Sequence, residues 1–202
     1  MLHFNTIDTE TLELLRALLA ISAFSDLRLA GDTGMALQIG HGKSIDVDLF
    51  GTIKADEFTI TQELKAVGRI KLLNKSENIK IYTVNDIKVD LVNYPYPWLS
   101  EINSENNLRL AGIDDIAAMK LSAITNRVTK KDFVDIFFLL QSFSLTQMLD
   151  LYSQKYQDGS EFLVLKSLAY FNDAESDEMP YMLQQVSWPD VKQKIRSALK
   201  EY

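Results

Sequence analysis

The stretch Ser44-Ile45-Asp46-Val47-Asp48-Leu49-Phe50 places two carboxylates two residues apart among aliphatic residues. Read as a strand, it buries Ile45, Val47 and Leu49 on one side and points Asp46 and Asp48 the other way, about 7 Å apart. Like charges held so close repel, and a divalent cation is the usual neutraliser. A third carboxylate stands in a similar setting. In Ile87-Lys88-Val89-Asp90-Leu91 the apolar residues alternate with Lys88 and Asp90. If the two strands are neighbours, Asp46, Asp48 and Asp90 form a triad able to hold hard cations for an in-line displacement at phosphorus. If they are not, the same residues are solvated surface aspartates.

Three elements must position such a site. Leu27-Arg28-Leu29-Ala30-Gly31-Asp32-Thr33-Gly34 reads as a strand passing through a tight turn into a helix that stops near Gly40. The acidic strand follows at once, so the two strands are expected to pair with the helix on one face. A helix N-terminus beside carboxylates suits a phosphate chain and its metal ions. The third strand belongs to a run of three, at 69–73, 79–84 and 87–92, the last two joined by the hairpin turn Asn85-Asp86.

Composition narrows the chemistry. The chain has 202 residues, 47% hydrophobic and 24% charged, enough for one large domain or two small ones. Cysteine is absent and the histidines are only His3 and His41, which leaves no thiolate or histidine-rich metal site. Any metal is expected to be Mg²⁺ or Mn²⁺ on oxygen ligands. The net charge of −7 argues against broad coating of nucleic acid, though not against a local basic face. No membrane span or signal peptide is evident, and a cytoplasmic protein without a membrane partner is expected.

The rest of the chain supplies framework. Asp8 is expected to cap a helix carrying Leu12, Leu15 and Leu19, and Asp56 or Thr59 one carrying Phe58, Ile60, Leu64 and Val67 as a buried stripe. Tyr94-Pro95-Tyr96-Pro97-Trp98 reads as an aromatic loop that either locks onto the core or stacks a base. Ser104-Glu105-Asn106-Asn107 is the expected seam between an α/β core at 1–103 and a helical domain at 104–202. In the latter, Asp114 is expected to cap a helix bearing Lys120, and Lys130-Lys131-Asp132 to open the next one. Lys120, Arg127, Lys130 and Lys131 could bind nucleotide phosphates or an RNA backbone. Alternatively, Arg127 joins the two helices by pairing with Asp132 or Asp135. Lys192, Lys194, Arg196 and Lys200 read as a solvated face.

Leu29-Ala30-Gly31-x-Thr33, Leu37-Gln38-x-Gly40-His41 and Ser44-x-Asp46-x-Asp48-x-Phe50 together resemble the AbiEii/AbiGii nucleotidyltransferase toxin family. Asp115-Ile116-Ala117-Ala118-Met119-Lys120, then Arg127 and Lys131-Asp132-Phe133-x-Asp135, resemble its second signature. The resemblance implies an α+β fold similar to DNA polymerase β-type nucleotidyltransferases, with a short mixed β-sheet, flanking helices and an all-helical C-terminal part. It implies transfer of a nucleotide from an NTP to a hydroxyl acceptor, in some relatives a tRNA end, within a toxin–antitoxin or phage-defence system with an antitoxin protein. Asp46, Asp48 and Asp90 would hold Mg²⁺ or Mn²⁺. Gly31, Thr33, Lys43, Ser44, Lys120, Arg127 and Lys131 would contact the nucleotide. Two other readings stand beside it. A catalytically silent module acting through a partner protein is favoured by Asp32 and Gly42, which depart from the family pattern. A small-molecule acceptor such as an aminoglycoside is favoured by the acidic net charge.

Overall fold

The computed structural model describes all 202 residues. They divide into two compact units, Met1–Gly40 with Ser44–Pro95 and Glu101–Ala111, and His41–Lys43 with Tyr96–Ser100 and Gly112–Tyr202. The class is α+β.

The first unit contains helices α1 (Thr9–Ala20), α2 (Gly31–Ile39) and α3 (Glu57–Val67). Its seven strands are β1 (Arg28–Leu29), β2 (Val47–Gly51), β3 (Ile70–Lys75), β4 (Ile79–Val84), β5 (Ile87–Asn93), β6 (Asn103–Glu105) and β7 (Leu108–Leu110). They form one mixed sheet in the order β3-β4-β5-β2-β1-β7-β6. The central β2 runs antiparallel to β1 and parallel to β5. Leu15 and Leu18 of α1 and Ile60 and Leu64 of α3 share one buried cluster with Val47, Leu49, Val89 and Leu91. That apolar face obliges the alternate residues of β2 and β5 to face the other way. Asp8 and Asp56 cap α1 and α3, accepting from the Thr11 and Thr59 backbone N–H at 2.7 and 2.8 Å. Gly40 closes α2 in the left-handed conformation, as a C-terminal glycine does.

Three expectations are corrected in this unit. The acidic strand begins at Val47, so Ile45 lies outside it and is 64% exposed. Phe58 is 72% exposed, because in the first turn of α3 it falls outside the stripe made by Ile60 and Leu64. The stretch Ser104–Asn107 is the end of β6 and the turn of the β6–β7 hairpin. Asn106 and Asn107 both take positive φ, which Asn tolerates, so a polar run that resembles a linker is a two-residue turn.

The second unit is built on α4 (Ile113–Asn126), α5 (Lys130–Leu139), α6 (Leu145–Lys155), α7 (Glu161–Ala169) and α8 (Trp188–Glu201). Thr129, Ser144, Ser160 and Ser187 cap the last four, and Pro189 lies in the first turn of α8. Asp114 does not cap α4, whose N-cap is Gly112. The two first-turn aspartates hold the Tyr96–Ser100 segment instead. Asp115 accepts from the Leu99 and Ser100 N–H at 2.9 and 3.1 Å, and Asp114 from the Ser100 hydroxyl at 3.1 Å. The aromatic loop is locked in place on both sides. Tyr94 meets Phe50 edge-on in the first unit, and in the second Trp98 lies under the Lys155 ammonium. On α8, Lys192 is not simply solvated, for it pairs with Glu175 at 2.6 Å.

Candidate active site

In the first unit the parallel register of β2 and β5 sets Asp48 directly beside Asp90. Adjacent strands lie about 4.8 Å apart, so the two carboxylates leave the same sheet face as immediate neighbours. Asp46 sits one residue ahead of β2. Its carbonyl is held by the Thr33 hydroxyl of α2, and Thr33 also shares a 2.7 Å hydrogen bond with the Ser44 hydroxyl. Thr33 and Ser44 are both buried. Their hydroxyls therefore tie the approach to the acidic strand onto α2, whatever further contacts they make.

Gly31 opens α2 with a φ of +60°, and a Cβ built on it would collide with the Asp48 carboxylate. Only glycine meets both demands at no steric cost. Gly31→Ala is expected to lower stability by about 1–2 kcal/mol and to displace Asp48. Thermal denaturation together with a nucleotide-transfer assay checks both effects.

Crowding shows in the electrostatics. The Asp48 pKa is pushed up to about 7 by burial first, then by the charges of Asp90, Asp32 and Asp46, against a lowering contribution from Lys88. Lys88 Nζ lies 2.7 Å from Asp90 Oδ1. Burial lowers the Lys88 pKa, but the Asp90 hydrogen bond and the charges of Asp90, Asp48 and Asp46 together raise it. Asp48, which resists ionisation, beside an Asp90 carboxylate that already attracts an ammonium makes a set of hard oxygens whose chemistry fits a divalent cation. The linkage has a definite sign. Because the folded pKa of Asp48 is above its unfolded value of 3.8, the stability tied to its protonation is complete below that value and lost as pH rises to about 7. Asp48→Asn is thus expected to stabilise the metal-free protein at pH 8 by roughly 1–3 kcal/mol and to have little effect at pH 4. Chemical denaturation in chelator at the two pH values measures it.

Lys43, Lys120, Arg127 and Lys131 belong to the second unit. Lys43 is exposed, with its ammonium 5.7 Å from the centre of the Tyr181 ring. Lys120 is buried, in contact with Asp135 and 3.7 Å from Asp132. Arg127 reaches Asp132 through two hydrogen bonds of 3.2 Å, so it does join α4 and α5, yet its side chain is 61% exposed. Asp132 also accepts from the Thr129 hydroxyl at 2.6 Å, and Asp135 meets His41 Nε2 at 2.9 Å. Lys131 is half-buried on α5. Lys130 leaves the basic quartet altogether, because it is buried with its ammonium on the Glu175 and Asp177 carbonyls.

The profile of the family described as nucleotidyl transferase AbiEii toxin, type IV toxin–antitoxin system, matches residues 13–201. The chain belongs to this family. An uncharacterized protein of Aquifex aeolicus (strain VF5) is 32% identical over 203 residues, covering 96% of both chains. AbiEii membership agrees with the fold of solved structures. A candidate nucleotidyltransferase from Helicobacter pylori superposes with a TM-score of 0.63 at 19% identity, over 95% of this chain and 91% of that one. MenT4, a nucleotidyltransferase toxin from Mycobacterium tuberculosis H37Rv, gives 0.60 at 13% identity, over 96% and 82%. No helix of this AbiEii chain is long and apolar enough to cross a membrane.

Four neighbours of the predicted residues have contacts only partly legible in the sequence of this AbiEii protein, which offered Asp132 or Asp135 as a partner of Arg127 but not of Lys120. Lys88 was legible as sharing a face with Asp90, but not as its ion-pair partner. Asp132 and Asp135 stand three apart in the helix Lys130–Leu139, which is apolar from Phe133 onward except for Asp135, and both are buried. Two carboxylates inside such a helix need cationic or hydrogen-bonding partners, and that requirement was the available signal. His41, beside Gly40, carried no such signal.

Proposed function

We propose that this AbiEii-family protein transfers a nucleotide from an NTP to a hydroxyl of an RNA acceptor, with Asp46, Asp48 and Asp90 as the ligands of Mg²⁺ or Mn²⁺. The observation that carries the reading is the Asp48–Asp90 register on one face of the β2–β5 pair, with Asp46 pinned beside it. When bound, a divalent cation supplies charge neutralisation for the attacking and leaving oxygens. The protein's own groups do the rest. The N-terminal turn of α2, opened by Gly31, presents backbone N–H groups to the triphosphate. Asp90 takes the proton of the attacking hydroxyl as its oxygen bonds to the α-phosphorus. The bond from that phosphorus to the bridging oxygen breaks, and pyrophosphate leaves. Lys43, Lys120, Arg127 and Lys131 are assigned to nucleotide phosphates by motif resemblance. Type IV membership supports an antitoxin protein as partner. An NTP donor and an RNA acceptor make the bacterial cytoplasm its site of action.

The test is incorporation of label from each NTP, carried on the α-phosphate, into total bacterial RNA with Mg²⁺ or Mn²⁺, with small hydroxyl compounds in parallel. Label in a discrete RNA band, lost on chelation, is the expected result. Label on a small compound alone moves the acceptor to that class. No label anywhere, and no metal-dependent NTP uptake by calorimetry from folded protein, leaves the binding-only reading.

A further inference from the structure

Lys88 has no part in the proposed chemistry, yet its ammonium sits 2.7 Å from a carboxylate oxygen of that site. Both residues are on β5, two apart, and so share a face. Across the sheet, Asp90 pairs with Asp48 on one side and Ile81 on the other, while Lys88 pairs with Thr83. The cation is therefore set at the rim of the carboxylate pair. Its side chain is 38% exposed against 19% for Asp90, so the lysine is the more open end of the pair. The long flexible stem of lysine allows a swing that a shorter side chain would not.

We propose that Lys88 is a resident counter-ion of the site, occupying Asp90 until a divalent cation claims that carboxylate, whereupon the released ammonium engages the NTP phosphates. The inference rests on the nucleotidyltransferase reading for its metal and donor. Its logic is competition. The ion pair neutralises Asp90 and supplies a positive charge beside Asp48 and Asp46, and both effects weaken the binding of a free cation. A nucleotide reverses the balance, because its phosphates offer Lys88 a second partner. Metal and nucleotide then strengthen each other's binding, and linkage makes the effect mutual. Lys88 on this view binds the donor's phosphates and takes no proton in the transfer. It suppresses metal loading of the empty site and ties that loading to the arrival of the donor.

Mn²⁺ binding followed by electron paramagnetic resonance on the full chain tests the inference without turnover. Without nucleotide, Lys88→Met is expected to bind Mn²⁺ roughly fivefold to tenfold more tightly than wild type, the scale of a partly exposed ion pair, while Lys88→Arg stays near wild type. With a mixture of α,β-methylene NTP analogues, the gain in Mn²⁺ affinity seen in wild type shrinks in Lys88→Met. Unchanged or weaker Mn²⁺ binding in Lys88→Met, with a normal melting curve, overturns the proposal, since a purely structural lysine would give that result. Asp48→Asn separates the two levels. If it weakens Mn²⁺ binding while Lys88→Met changes nothing, only the counter-ion role falls. If Asp48→Asn leaves Mn²⁺ binding intact, the carboxylate site itself is wrong and both readings fall.

Discussion

Asp48→Ala is expected to lower nucleotide transfer by about 10³-fold or more, with the protein at least as stable as wild type. The two halves of this result have one cause. Asp48 stands among other carboxylates, with Asp90 level with it on β5 and Asp46 two residues before it. In the metal-free protein that crowding opposes folding, so removing the charge relieves strain rather than creating it. With substrate and cation bound, the same crowding becomes a clamp on charge developing at phosphorus, and loss of a central ligand forfeits several kcal/mol of transition-state stabilisation. Turnover at saturating Mg²⁺, and thermal denaturation in chelator, check the two halves. Transfer retained within tenfold of wild type would show that Asp48 is not a metal ligand. A large loss of stability would show that the assigned electrostatics are wrong.

Much of this site could be read before any coordinates, because it rests on period two. The alternation Val47-Asp48-Leu49 and Val89-Asp90-Leu91 decides which side chains share a face, and burying the aliphatics leaves the carboxylates no other direction. Adjacency of the two strands was only conditional. It depends on β2 taking β5 as a parallel neighbour across a connection of more than thirty residues, and no local pattern encodes that choice. Gly31 was legible as a turn. That its missing Cβ makes room for the Asp48 carboxylate is a tertiary fact.

The misreadings have a common origin in polar residues whose partners lie far along the chain. Asp114 followed by an apolar run has the signature of a helix cap, but it and Asp115 are used to hold Leu99 and Ser100. Ser104–Asn107 has the composition of a linker, and only the positive φ of two successive asparagines marks it as a hairpin. Lys130 reads as one of four surface cations at the start of a helix, yet its ammonium is buried on two carbonyls contributed by residues more than forty positions later. Local sequence fixes what such groups can do, while their burial fixes what they must do.

The strongest demand of that kind falls on Lys155, and its substitution carries the largest expected loss of stability. Lys155 and Asp115 form an ion pair of 2.6 Å in which both side chains are 0% exposed. The ammonium also donates to the Pro97 carbonyl at 2.7 Å and lies 4.6 Å from the centre of the Trp98 ring. Lys155→Met keeps the stem and removes the charge, leaving a buried carboxylate with only the Leu99 and Ser100 backbone donors. Such an uncompensated charge costs about 3–5 kcal/mol, and in a chain of this size lowers the melting temperature by roughly 10 °C. Lys155→Met combined with Asp115→Asn should recover part of the loss, because Asn carries no charge yet can still accept one of the two N–H bonds. Denaturant unfolding of the single and double variants measures each contribution. A single-variant loss under about 1 kcal/mol would mean the carboxylate is not held as a buried anion. The expected pattern would give Asp115, the first residue of the second motif, a structural part, as the anchor of the Tyr96–Ser100 segment.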